Sequence, residues 1–483
     1  MQSEELKAAE IIARQDRIPI WALSYLFIGI LGMGYVFIFY DIFNINVSFI
    51  QTALTLGWAK SPTSPTITNL EGPAVLLNLV GYVIGALVLS PLSDRYGRRE
   101  MLMFTLLITG AGSLLNAFVS TYLWFVMART ITGIGIGADL ALVNTYISEV
   151  APTNGRAKYT ALLFVLAGIG TVSAVWLGLI LTTPSAPFPY GLPIAIGGSG
   201  FVATNGWRVM YAIGGVLAFL GVFLRVSLPE STRWLITNKR LDEATKIVSQ
   251  MEGRAMKRIK QLPPLPAIIH APQKAKPIPY SEILKNSTYR NRTILLFFVW
   301  FFGYMTIYII SAAMSPLLVA LGFPFPENGI IVSLGVFGFI AAGLIVVFFG
   351  DKMERKLWSP VGAAITLVGA ISIGYGVNNI TFATLGAFLI FVGIDVWVPI
   401  TYAWSAESFP TRARATGFAL ADGVGHVGGG IGLIAVAALI TALLPVLGTI
   451  GIFLVIALFQ VISAALAQLG TKTANRRFDE VSP

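Results

Sequence analysis

Apolar residues fill this chain in uninterrupted stretches of about 20 residues, each long enough to cross ~30 Å of hydrocarbon, with short polar or charged segments between them. Twelve such stretches are read, at 20–46, 73–93, 101–120, 122–147, 159–182, 208–228, 293–320, 328–349, 358–377, 382–405, 415–443 and 446–468. The first and eleventh are longer than a span requires. Segments 57–72 and 183–207, rich in Pro, Gly, Ser and Thr, read as surface loops. In the middle, Ser231 to Lys260 has helical character and many charges, and the prolines of 262–279 follow as a partly extended linker.

Charge orients these spans. Lys and Arg crowd the start (Lys7, Arg14, Arg17), the loops at 95–99, 156–158, 352–356 and 412–414, the segment 233–292 and the tail (Lys472, Arg476, Arg477). The opposite face carries only Lys60 and Arg208. The positive-inside rule therefore puts both termini in the cytoplasm, which requires an even number of spans. With 55% hydrophobic residues, 12% charged and a mean hydropathy of +0.77, the chain is too apolar for a soluble globular protein and reads as a multi-pass cell-membrane protein. Its net charge of +10 is a topology signal, because the basic residues lie spread over loops without the stacking aromatics that nucleic-acid binding needs. There is no cysteine, hence no disulfide framework or thiolate metal site. Glu4, Glu5, Glu10 and Asp16 among the first residues are unlike a signal peptide's basic start. No metal-ligand or nucleophile–base constellation appears, so neither an enzyme nor a cofactor is expected.

Two sequence elements occur twice. Glu149-Val-Ala-Pro152-Thr-Asn-Gly-Arg156-Ala recurs as Glu407-Ser-Phe-Pro410-Thr-Arg-Ala-Arg414-Ala, and Asp94-Arg95-Tyr-Gly-Arg98-Arg99 as Asp351-Lys352-Met-Glu-Arg355-Lys356, at almost the same offset. A duplicated unit of half the chain follows, the construction of a transporter with parallel halves. The expected organisation is an all-α membrane protein: a six-helix bundle at 1–228, a cytoplasmic linker with short helices at 229–292, a second bundle at 293–470 and a tail at 471–483.

Ser90-Pro-Leu-Ser-Asp94-Arg95-Tyr-Gly97-Arg98-Arg99 resembles the loop signature of the major facilitator superfamily, and Arg129-Thr-Ile-Thr-Gly133-Ile-Gly135-Ile-Gly137 resembles its fourth-helix signature. Leu228-Pro-Glu230-Ser-Thr-Arg233-Trp234-Leu is similar to the element after the sixth helix of sugar porters. The glycines lie in an apolar span, where they allow close helix approach rather than phosphate binding. Arg95, Arg98 and Arg99 near Glu149, and Arg355 near Glu407, suit charge-assisted bonds between helix ends that join in one transport state and part in another. Asp94, Arg156, Glu230, Arg233, Asp351 and Arg414 complete this expected cytoplasmic gate.

Function is sought at charges within the membrane, which persist only when paired or hydrated. Away from loops and helix ends the acids are Asp41, Asp139, Asp395 and Asp422, with Arg129 and His426 as company. Asp41, in Phe39-Tyr40-Asp41, resembles the first-helix acid of proton-coupled sugar and phosphate symporters, whose partner in sugar porters is the fourth-helix Arg, here Arg129. Such an Asp can exchange its Arg for a proton. Asp139 lies ten residues beyond Arg129, about 15 Å along one helix. The similarity to phosphate symporters implies that it lies close to substrate and takes part in proton transfer. The repeat offset puts Asp395 near its counterpart in the tenth helix, so both acids are expected to face a central cavity.

Trp300, Tyr304 and Tyr308 share one helical face. Phosphate symporters have an Asp where Tyr304 stands and a Lys where His426 stands, and the Gln-Gln-x-Ser-Gly of sugar porters is missing. The cavity so implied offers Trp300, Tyr304, Tyr308, Trp397, His426, Asn44 and Asn144 to a small polar metabolite with a ring or apolar portion. The resulting expectation is a monomeric secondary transporter in the lipid bilayer, moving a sugar or organic acid in symport with protons. A phosphate or other inorganic-anion symporter, an uncoupled facilitator and a nutrient sensor are the alternatives.

Overall fold

The computed structural model describes residues 2–152, 156–265, 280–409 and 414–474, which form helices and connecting turns with no strand among them. The first six spans are Tyr25–Thr55, Pro65–Tyr96, Arg98–Phe118, Tyr122–Val150, Arg156–Thr182 and Val202–Arg225. Spans seven to ten are Ser287–Ala320, Glu327–Phe349, Arg355–Tyr375 and Ile380–Glu407. The last run, Thr416–Ala467, has 52 residues, about 78 Å of helix at 1.5 Å per residue and far more than one crossing needs. It breaks at Gly448, whose φ of 62° and ψ of −177° are essentially open to glycine alone. That break separates the eleventh from the twelfth span, and the chain makes two six-helix bundles.

Span limits differ from those read along the sequence where capping overrides composition. Helix two begins at Pro65, with the Ser64 hydroxyl accepting from the Thr66 amide and Pro65 in the first turn. Residues 65–72 are thus membrane helix and not loop, which brings Glu71 inside the bundle. The first helix likewise starts after the Ser24 cap and runs on to Thr55. The linker contains helices at Thr232–Thr237 and Leu241–Ile259; its proline-rich part, 266–279, lies outside the described residues.

The glycines of the fourth span let it lie directly on the second. A Cβ on Gly133 would meet the Asn78 carbonyl oxygen at 1.9 Å, and one on Gly137 the Tyr82 carbonyl oxygen at 2.1 Å. On the side opposite the termini the two halves are joined by Asn46. Its Nδ2 donates to the Ile310 and Ser311 carbonyls at 3.1 and 2.8 Å, and its Oδ1 accepts from the Ser315 amide at 3.1 Å. Trp176 adds a bond from Nε1 to the Ser333 carbonyl at 2.9 Å.

On the terminal side, helix Gln2–Asp16 packs Ile11 against Leu235 and Val248. Arg14 and Arg17 both reach Glu252, each at 2.6 Å.

Candidate functional site

Asp41 of the first span is buried and meets Arg129 of the fourth, Nη1 to Oδ2, at 2.8 Å. Ser113 of the third span donates to Asp41 Oδ1 at 2.6 Å. Arg129 also donates to the Asp41 carbonyl at 3.3 Å, while its Nε has no hydrogen-bond partner among the described residues. One acid and one base thus neutralise each other where three spans converge, and a proton on Asp41 would free the guanidinium.

Asp139 does not face a central cavity. It is held inside the first half by Arg225, the last residue of span six, which donates from Nη1 to Oδ1 and from Nη2 to Oδ2, the second at 2.9 Å. Thr105 donates to Oδ1 at 2.6 Å, and both charged side chains are fully buried. A carboxylate in a low-dielectric interior settles against the cation within reach, and Arg225 projects back into the bundle from a helix end.

A cavity lies between the halves. Phe39, Phe43 and Phe164 wall it from the first half and Phe339 from the second. Its polar groups, Tyr304, Tyr308, Ser311, Asp395, Tyr402 and His426, all belong to the second half. The imidazole of His426 lies between two phenol rings, with centroids 3.7 Å from Tyr82 and 3.8 Å from Tyr304. Its Nδ1 is 2.8 Å from the Asp422 carbonyl oxygen, an acceptor only, so in this contact Nδ1 carries the proton and Nε2 is left to accept. Asp422 accepts from Tyr304 at 2.5 Å and Tyr82 at 3.4 Å, and the hydroxyls of Tyr304 and Tyr402 are 3.1 Å apart.

Asp395 is the cavity's acid. It is 1% exposed, and its Oδ2 has no hydrogen-bond partner among the described residues. It ends the first part of the tenth span, which breaks at Trp397. Pro399 lacks the N–H that would continue the ladder to the Asp395 carbonyl.

The family model described as sugar (and other) transporter matches residues 27–483. The chain belongs to that family. This transporter is 27% identical over 426 residues to the niacin transporter of Acinetobacter baylyi, covering 87% of this chain and 88% of the other. Over 402 residues it is 28% identical to the 4-hydroxybenzoate transporter of the same species, covering 79% and 78%. Against the glucose transporter of Staphylococcus epidermidis the identity is 24% over 444 residues, covering 86% and 89%. Among solved structures, a major facilitator proton:xylose symporter bound to 6-bromo-6-deoxy-D-glucose superposes with a TM-score of 0.69 at 20% identity, covering 95% of this chain and 99% of that one. At that identity the likeness establishes the fold.

Of the side chains expected to bind substrate, the transporter brings Tyr304, Tyr308 and His426 to the cavity and leaves four outside its wall. Trp300 stacks on Tyr304 with centroids 5.0 Å apart and donates to Ser405 at 3.0 Å. Trp397 packs beside Trp300 at 5.3 Å. Asn144 donates to the carbonyl one turn back at 2.8 Å, and the Asn44 amide is buried with no partner among the described residues. Along the sequence Asp422 counts among the intramembrane acids but receives no role, although it lies four residues before His426, and Tyr82 is not foreseen. Phe39, Phe43, Phe164 and Phe339 gave none, since an apolar ring in an apolar span faces lipid, core or cavity alike.

The charged loop elements form one network in each half. Arg98 reaches Asp94 at 2.6 Å and Glu149 at 3.2 Å, while Ser231 also donates to Glu149. Glu230 accepts from the amides of Arg98 and Arg99 at 3.0 and 3.3 Å. Arg355 repeats the pattern with Asp351 at 2.8 Å and Glu407 at 3.4 Å. Arg233 bonds Asp16 at 2.9 Å, Arg99 lies 3.8 Å from Glu100, and Arg95 rests over the Tyr96 ring. The side chains of Arg156 and Arg414 lie outside the described residues.

Proposed function

We propose that this transporter is a proton-coupled symporter of a small aromatic carboxylate, working by alternating access with its terminal side in the cytoplasm. The observation that carries the reading is a cavity walled by four phenylalanines, whose lining includes an acid and an imidazole but no Lys or Arg. Aromatic walls suit a planar ring through edge-to-face and offset packing. A hexose presents five or more hydroxyls, each costly to bury unpaired, and the lining contains no Asn or Gln. The names of the niacin and 4-hydroxybenzoate relatives support the same choice.

Charge balance supports the coupling. An anionic substrate entering beside an ionised Asp395 meets repulsion in a low dielectric, so Asp395 takes up a proton and donates a hydrogen bond to the incoming carboxylate. Substrate and the Asp395 proton then cross together. Asp41 and Arg129 form the second exchange site, where a proton replaces the guanidinium. The paired networks at Arg98 and Arg355 hold the cytoplasmic helix ends of each half as units that rock about the cavity. The bundles are taken as 1–228 and 293–470 around the 229–292 linker, with the monomer as the working unit.

The test is uptake by purified protein in proteoliposomes, with nicotinate, 4-hydroxybenzoate, glucose and phosphate compared with and without an inside-alkaline pH gradient. An aromatic acid is expected to accumulate against its gradient. Asp395→Asn and Asp41→Asn should each abolish uphill accumulation while sparing substrate exchange. Accumulation of glucose or phosphate that aromatic acids do not inhibit would overturn the substrate reading, and undiminished uphill uptake by both variants would overturn the coupling sites.

A further inference from the structure

The mechanism above makes no use of Glu71. This residue lies in the second span, six residues from Pro65 and so about 9 Å from the helix end opposite the termini. It is 1% exposed, and neither carboxyl oxygen has a hydrogen-bond partner among the described residues. It borders a narrow pocket on the seam between the halves. Thr68, on the same helix as Glu71, also lines it and donates its hydroxyl to the Pro65 carbonyl at 3.1 Å, while the walls from the other half, Ile309, Ala313 and Leu317 of span seven and Leu433, Val436 and Ile440 of span eleven, are all apolar. Next to it, Gly72 brings the backbones together: a Cβ there would meet the Ile434 amide nitrogen at 3.4 Å.

We infer that Glu71 is a proton-binding site of the outer gate, which must be loaded before the far ends of the two halves can close on each other. This rests on the transport reading above. The physical argument is solvation. An ionised carboxylate facing an apolar wall, with no hydrogen bond from any described residue, is strongly disfavoured, whereas the neutral acid is tolerated. The other titratable groups facing this region do not replace the proton. Tyr122 of span four donates its hydroxyl to the Leu70 carbonyl, Arg129 is committed to Asp41, and Tyr211 of span six is a phenol without charge. From spans seven and eleven, the lining contributes no ionisable group.

When the far ends part, Glu71 meets outside water and ionises by releasing its proton there. It must take one back from the same side before the seam reforms. This proton enters and leaves by one face and is not carried across, so it sets a dependence on external pH that is separate from the driving gradient. The closed state binds one proton more than the open state, so raising the external pH disfavours closure, by up to about tenfold per pH unit.

The chain contains no cysteine, so two introduced thiols can be labelled alone. Spin labels on Thr66→Cys and Thr441→Cys, both exposed near the far ends of spans two and eleven, report the seam without reference to any substrate. In otherwise unchanged protein, the short-distance population is expected to fall as the pH rises from about 6 to 9, severalfold or more. With Glu71→Gln added, a neutral isostere, it should stay high across the range. Distances that ignore pH without the Gln change, or that respond equally with it, would overturn the inference. Failure of the aromatic-carboxylate reading would show in the uptake panel and leave these distances untouched.

Discussion

Arg225 decides the fate of Asp139. Both are fully buried, and each is the other's charge partner across two spans. Removing one member of such a pair strands the other charge, at a cost of about 3–5 kcal/mol, whereas replacing both by apolar groups of similar size is close to neutral. Arg225→Met is therefore expected to lower the midpoint of thermal unfolding in detergent sharply, and Arg225→Met with Asp139→Leu to restore most of it. An unchanged midpoint in the single variant would show that the pair contributes nothing. At this scale the sequence was partly legible. Asp41 and Arg129 could be paired by resemblance, and Tyr304 and Tyr308 by helical spacing. Asp139 was misplaced because a helix-end arginine looks like a topology charge until its side chain is seen to turn inward.

Short-range signals place helix starts well and the contacts of a helix poorly. Ser64 followed by Pro65 is a start signal that the polar composition of 57–72 masks, and it moves Glu71 from loop to membrane. The N-terminal helix Gln2–Asp16 shows the converse, since along the sequence its charges signal topology and say nothing of what the helix packs against. In the structure, burial pushes Glu252 up, but the hydrogen bonds and charges of Arg14 and Arg17 outweigh this and hold the carboxyl below its ordinary 4.5. A lowered native value means that this docking is fully present above 4.5 and is lost as the pH falls through and below it. Hydrogen-exchange protection over residues 2–16, relative to the intrinsic rate at each pH, should be high at neutral pH and lower in acid. Glu252→Gln should reproduce the lower protection at neutral pH, and equal protection in both proteins would refute the latch.

For the whole molecule the central question is what holds the seam shut. Asn46 contributes three hydrogen bonds across it, all to backbone atoms of span seven. Asn46→Leu leaves those backbone groups to be satisfied by water, at about 1–3 kcal/mol, which moves a two-state population by about one or two factors of ten. Labels on the far ends of spans one and seven should accordingly report a longer distance in Asn46→Leu than in the unmodified protein. A matching distribution would show that the Asn46 bonds do not hold the seam. The cavity belongs to this scale too, since its four phenylalanines come from three different spans and become a wall only when the halves meet.

Twelve spans, a duplicated architecture and membership of a transporter family could be read from the chain, because span length is measured locally against the bilayer and a repeat is a property of the string itself. The direction in which each side chain faces could not. In a membrane the lipid side of a helix is as apolar as its packed side, so periodicity carries little of the inside–outside signal it has in water. The partners of Asp139 and Asp422, the apolar surroundings of Glu71 and the four phenylalanines of the cavity were therefore settled only by which helices became neighbours.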